Sequence, residues 1–255
     1  MKETLIGNRY LLLEPIGSGG EARVFRARDE VTQNEFALRL LPQTGACACP
    51  RDLPVAHPHW VRIFSWGNDS QHGAYQVMEL LRGQTLDQIV QAGPCETAAW
   101  IEFVQQSLDA VGALHHAGFI HGDLNAGNFL FTAEGWKLLE LPFFDFERPK
   151  NRSSLFGSIY TLTPEHLDSR PLDARSDLYA LGCLYYYAAS GQYPHAASSN
   201  REIAINRLCF SPTPLHEIAP LLSSARNAWV MTLLQRKPED RFPSVSEARR
   251  LFPAG

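Results

Sequence analysis

The sequence has no run rich in lysine and arginine, and its formal net charge is −4 over 255 residues. Binding to nucleic acid or to an anionic membrane surface calls for a basic excess, so neither is expected. No uninterrupted apolar stretch approaches the ~18 residues of a membrane-spanning helix. Residues 1–17 lack the long apolar core of a secretion signal, Leu11-Leu12-Leu13 being only a run of strand length. The expectation is a cytoplasmic chain with no membrane attachment. Cysteine is sparse and odd in number: Cys47, Cys49, Cys95, Cys183 and Cys209 make no disulfide framework. Cys47 and Cys49 stand near His57 and His59, although paired zinc-binding cysteines are usually two or more residues apart. Two readings stand there, a zinc site and a pair of free thiols in an irregular segment. Internal repeats and low-complexity tracts are absent.

What is present is the composition of a globular protein, 45% hydrophobic and 20% charged. The length suits one domain or two tightly joined lobes. The first ninety residues read as strands and turns: Tyr10 to Glu14, Arg23 to Ala27, Phe36 to Leu41, Val61 to Gly67 and Tyr75 to Leu80, with a polar turn from Asn68 to Gly73. The remainder reads as helix. From Trp100 to His116, Ile101, Val104, Leu108 and Val111 form one stripe, and Phe103, Ala110 and Leu114 form a second. A helix apolar on two sides is buried, and Gly118 is its stop. Ser176 is the expected cap of a helix running through Leu178, Leu181, Leu184 and Ala188 to Gly191. A further amphipathic helix is predicted from about Ser223 to Arg236. Strands first and helices after predict an α+β protein with segregated layers.

Several short motifs carry chemistry. Ile16-Gly17-Ser18-Gly19-Gly20 lies between two strand-like runs, where glycine lets backbone N–H groups approach a phosphate closely. It opens no helix, which argues against a dinucleotide-binding fold. His121-Gly122-Asp123-Leu124-Asn125-Ala126-Gly127-Asn128 follows the buried helix and resembles the catalytic loop of protein kinases. Thr163-Pro164-Glu165 resembles their A-P-E motif, and Gly157-Ser158-Ile159-Tyr160 their substrate-facing G-T-x-x-Y. Ser176-Asp177-Leu178 resembles the Asp-led central helix, and Lys237-Pro238-Glu239-Asp240-Arg241 the late arginine motif. Five motifs in this order identify the chain, over about residues 7 to 252, as similar to the eukaryotic-like Ser/Thr protein kinases in their bacterial form.

The resemblance implies a bilobal kinase-like fold, with residues 1–81 as a β-rich lobe and 82–255 as a helical lobe. It implies a nucleotide cleft for ATP and magnesium. Gly17 and Gly19 would lie over the phosphates, and Val24, Ala37 and Leu130 would sandwich the ring. Met78 would be the gatekeeper, with Glu79 and Leu81 in the hinge. Asp123 would be the base, Asn128 a magnesium ligand, and Ser158 a brace for the acceptor hydroxyl.

The family pattern breaks in several places. Arg39 stands where the resemblance implies a strand lysine; it reads equally as a phosphate contact and as a salt-bridged strand residue. No glutamate occurs between Phe36 and Glu79, and Pro42, Gly45, Pro50 and Pro54 oppose a long helix before His57-Pro58-His59. A shortened or missing regulatory helix is therefore expected. Glu140-Leu141-Pro142 stands at the D-F-G position, with Glu140 as the second magnesium ligand. Asp145-Phe146-Glu147 has similar letters but comes too late. Gly122 replaces the loop arginine that answers activation-segment phosphate, and Asn125 replaces a lysine that faces the transferred phosphate.

These departures point to a pseudokinase, a regulatory or scaffolding module with weak or no nucleotide binding and a regulatory protein partner. The alternative is an active Ser/Thr kinase with substituted parts. A small-molecule phosphotransferase shares the His121-Gly122-Asp123 letters, but Thr163-Pro164-Glu165, Asp177 and Arg241 weigh against it. Ser153, Ser154, Ser158, Tyr160, Thr161 and Thr163 are hydroxyls open to phosphorylation in the activation-like segment.

Overall fold

The computed structural model describes residues 4–19, 22–41, 56–141 and 158–254. Several sequence readings lie outside the described residues: the regulatory-helix segment, the Cys47–Cys49 pair, Gly20, Pro142, Asp145-Phe146-Glu147, Ser153, Ser154 and Gly157.

The described residues of the N-terminal lobe form one antiparallel sheet. Its strands are β1 (Leu5–Ile6), β2 (Tyr10–Gly19), β3 (Ala22–Asp29), β4 (Glu35–Leu40), β5 (Ile63–Asp69) and β6 (Gly73–Met78), in the order β1-β2-β3-β4-β6-β5. Strand β2 runs on through Ile16 and Gly17, beyond the expected end at Glu14. It accommodates Pro15 because the ladder slips at Leu12/Glu14 and at Pro15/Gly17, and a bulge is where a strand tolerates a missing donor. Ile6, Tyr10, Ala27, Leu38, Leu40, Tyr75 and Val77 pack as the core of this lobe. Asp29 closes the β3–β4 turn by accepting from Arg9 at 3.0 and 2.7 Å, from the Val31 amide and from the Thr32 hydroxyl.

The C-terminal lobe opens with a small sheet, β7 (Gln84–Thr85), β8 (Phe129–Thr132) and β9 (Gly135–Leu138), ordered β7-β8-β9. The described residues hold eight α-helices: α1 (Leu86–Ala92), α2 (Thr97–His116), α3 (Pro164–Leu167), α4 (Ala174–Ser190), α5 (Asn200–Cys209), α6 (Leu215–Ile218), α7 (Ser224–Leu233) and α8 (Val245–Arg250). Both stripes of α2 are buried, as their spacing predicts, and Trp100 and Phe103 pack against Tyr185 of α4. Helix α4 is buried on all sides from Ser176 to Ala188. Its cap is Asp173, not the expected Ser176. Asp173 accepts from the Arg175 amide, while Ser176 is the third helical residue and its Oγ accepts from the Asp173 amide at 3.3 Å. The reciprocal pair is a capping box, and either residue type suits a cap position. Gly182 lets α4 and α7 meet, since a Cβ there would lie 2.8 Å from the Leu233 Cβ.

The lobes are sewn together by residues 57–61. The Leu138 amide donates to the His59 carbonyl at 2.8 Å, the Val61 amide to the Leu138 carbonyl at 2.9 Å, and the Trp60 indole to the Ala110 carbonyl at 3.0 Å. This is the bilobal α+β arrangement that the motif order predicts. Among the described residues no helix is long and apolar enough to cross a membrane.

Candidate functional site

The loop between α2 and β8 hangs from one buried carboxylate. Asp177, on the first turn of α4, accepts from the His121 amide at 2.7 Å, the Gly122 amide at 2.8 Å and His115 Nε2 at 2.7 Å. Burial pushes the Asp177 carboxyl up. The hydrogen bond and charge of His115, with the Gly122 amide, outweigh this and hold it below the ordinary value. Gly122 has φ +70, a left-handed backbone that an arginine would adopt only with strain. The glycine that removes a charged side chain thus also relaxes the loop.

His121 ties the loop to the Glu140 segment. Its Nε2 lies 2.6 Å from the Glu140 carbonyl, and its Nδ1 accepts from the Asp123 amide at 3.3 Å. A carbonyl only accepts, so the ring carries its proton on Nε2. Asn128 Nδ2 donates to the Asp123 carbonyl at 3.1 Å, and the Leu139 amide donates to the Asn128 carbonyl at 2.8 Å. These bonds place Asp123, Asn128 and Glu140 around one loop. Asn125 has turned inward: its Oδ1 accepts from the Gly127 amide at 3.0 Å and its Nδ2 donates to the Asp123 carbonyl at 3.3 Å. The side chain caps the short 3-10 turn Ala126–Asn128, which is why an amide serves where a lysine would not.

Across the cleft, Arg39 projects from β4, in register with Val24 on β3 and Gln76 on β6. Its guanidinium reaches Glu140 Oε1 at 3.0 Å, and its buried Nε has no hydrogen-bond partner among the described residues. The two residues that replace the expected lysine and aspartate are bonded to each other. The sequence left Arg39 as phosphate contact or salt-bridged residue; the geometry gives it an ion pair. Magnesium fits poorly here. A hard cation would have to compete with a guanidinium for the Glu140 carboxylate, and Asn128 supplies only a neutral oxygen.

The other end of the cleft is apolar. Ala37 lies opposite Met78 in the β4–β6 ladder, and both pack with Val61 in a cluster joined by Val24, Ile63, Leu80, Leu81 and Leu139. Leu139, which the sequence reading did not name, also belongs to this cluster; Leu130 sits on β8 opposite Thr85 and Lys137. The one available signal was the position of Leu139 immediately before Glu140. Gly17 lies opposite Val24 and Gly19 opposite Ala22 in the β2–β3 ladder. At the hinge, the Glu79 amide donates to the Arg62 carbonyl at 2.9 Å, and Glu79 Oε1 accepts from the Arg62 amide at 2.7 Å. Neither the Glu79 carbonyl nor the Leu81 amide has a hydrogen-bond partner among the described residues.

Residues 158–165 are held from below. Arg241 donates to both oxygens of Glu165, at 2.7 and 2.8 Å, and to the carbonyls of Gln235, Arg175 and Arg236. It lies over the Tyr179 ring at 4.7 Å. Ser176 also donates to Glu165, at 3.2 Å. Burial alone would push the Glu165 carboxyl up, but the hydrogen bonds and charge of Arg241 hold it below its usual value. Arg207 on α5, which the sequence reading missed, is buried and donates to the carbonyls of Ile159 and Tyr160 at 2.6 and 2.9 Å. Its target is backbone, so no pattern of residue types announces it. The Ser158 carbonyl accepts from the amides of Thr161 and Leu162 and so turns the chain. Thr161 and Thr163 are buried, and Thr163 caps α3, which leaves Ser158 and Tyr160 as the accessible hydroxyls among the described ones.

Comparisons with known proteins agree with this geometry. The family model for the protein kinase domain matches residues 10–250. The DNA damage-responsive serine/threonine-protein kinase RqkA of Deinococcus radiodurans is 31% identical over 265 residues, which cover 96% of this chain and 39% of that protein. A probable serine/threonine-protein kinase of Clostridium acetobutylicum is 27% identical over 264 residues, again 96% of this chain and 39% of the relative. The chain thus spans well under half the length of these curated relatives. A crystal structure of Rad53 in complex with AMP-PNP shares the fold, with a TM-score of 0.80 at 23% identity over 94% of this chain and 64% of that one. Matched by the family model over nearly its whole length, the chain belongs to the protein kinase domain family.

Proposed function

We propose that this domain is a pseudokinase: a kinase fold that regulates or scaffolds a protein partner in the cytoplasm, with weak nucleotide binding and little or no phosphotransfer. Residues 1–81 act as its small lobe and residues 82–255 as its large one. The observation that carries this reading is the Arg39–Glu140 ion pair at 3.0 Å. Phosphoryl transfer depends on cations placed around the phosphates and on a metal held by carboxylate and amide oxygens. Here the cation of the small lobe and the carboxylate of the large lobe satisfy each other. Asn125, folded into its own loop, adds no charge to replace them.

The test is magnesium-dependent transfer of γ-phosphate to a general protein substrate, with Asp123→Asn as control. The expected outcome is no transfer above the control. Robust transfer abolished by Asp123→Asn would establish the alternative, an active Ser/Thr kinase. That alternative draws on the intact loop, in which Asn128 still holds the Asp123 carbonyl at 3.1 Å. In an active enzyme Asn128→Ala would reduce the rate severely.

A further inference from the structure

The two ends of the cleft ask for different things of a ligand. The phosphate end carries Arg39 and Glu140, whose charges cancel. A triphosphate entering alone meets one carboxylate and a guanidinium that is already paired with it. A divalent cation entering with it has to displace that guanidinium from Glu140. The hinge end carries no charge conflict: an apolar cluster of Ala37, Met78, Val24, Leu81 and Leu139, beside a Glu79 carbonyl and a Leu81 amide without partners among the described residues. Unpaired backbone groups beside an apolar surface suit a flat ring with a hydrogen-bonding edge.

We propose that the Arg39–Glu140 ion pair takes the place of a metal ion, so that the cleft selects an uncharged, flat heteroaromatic ligand over a nucleoside triphosphate and needs no divalent cation. This rests on the reading that the site does not transfer phosphate. The proposal concerns which molecule binds; the transfer assay concerns what the site does with one.

The experiment is binding by calorimetry, with adenosine as the uncharged probe, against ATP in EDTA and ATP with magnesium. Adenosine is expected to bind at least tenfold more tightly than ATP, with magnesium changing the ATP affinity by less than threefold. In Glu140→Gln, which frees Arg39 for phosphate, the ratio should move at least tenfold toward ATP. Arg39→Met should not produce that shift, since it removes the cation. Tighter binding of magnesium–ATP than of adenosine by the unaltered domain would overturn the proposal, as would no binding of adenosine at all. An unchanged ratio in Glu140→Gln would overturn the role of the ion pair. If magnesium–ATP binds best and no transfer occurs, this proposal fails while the pseudokinase reading stands. If transfer occurs, that reading fails first.

Discussion

Two arginine–glutamate pairs organise this molecule, and they differ in almost every physical respect. Arg241 and Glu165 have side chains 0% and 3% exposed, and Arg241 spends its remaining donors on three carbonyls. Arg39 and Glu140 are 12% and 32% exposed, joined by one contact, with a buried Nε left unpartnered among the described residues. A dry pair with every donor satisfied has no alternative partner, so removing one member strands the other. A half-wet pair at a cleft can open and let water or a ligand take either side, and solvent screens its attraction. The first pair belongs to the scaffold; the second is placed where it decides what enters.

The largest expected effect follows from the dry pair. Arg241→Met leaves Glu165 buried and unpaired and should lower the unfolding free energy by about 3–5 kcal/mol, measured by urea denaturation. A loss below about 1 kcal/mol would put the two pairs in one class.

The next test uses acid. Glu165 and Asp177 are both held below the ordinary carboxylate value in the folded protein. Their contribution is present above the unfolded value, about 4, and is lost as pH falls through the lower folded value. Unfolding free energy should therefore hold from pH 7 to 5 and fall steeply below about 4. The fall should be shallower in Arg241→Met, because the shift at Glu165 depends on that arginine. An equally steep fall in that variant would remove Glu165 from the account.

Gly122→Ala should cost about 1–2 kcal/mol, through backbone strain and not collision. The added Cβ would only touch Leu172 at 3.9 Å, whereas φ is +70. A neutral result would show the loop free to change its backbone. The smallest effect is expected at the half-wet pair. Arg39→Met should change stability by no more than about 1 kcal/mol, because Glu140 can hydrate once its partner is gone. Raising the salt concentration should weaken the Arg39 pair and leave the Arg241 pair untouched. A loss at Arg39 equal to that at Arg241 would break the comparison.

Much of this was legible in the sequence, for reasons visible at particular residues. The two stripes of α2 announced a buried helix because the period of a helix is fixed by its backbone. The order of loop, T-P-E, Asp-led helix and late arginine announced the family because each short motif closes on itself or on a partner set by the fold. The cap of α4 was misplaced by three residues because Asp173 and Ser176 are both good caps, and their reciprocal bonds make them one unit. Arg207 was missed because it binds carbonyls, which every residue has.

The sequence by itself determined the fold family and the order of strands and helices, since these depend on local periodicity and on which side chains exist. Only the tertiary structure decided what the substitutes do. Whether Arg39 meets phosphate or Glu140, and whether Asn125 faces the cleft or its own loop, turns on distances between groups that the chain brings together only when folded. Charges and hydrogen bonds act over a few ångströms, and no spacing along the sequence fixes a separation that small.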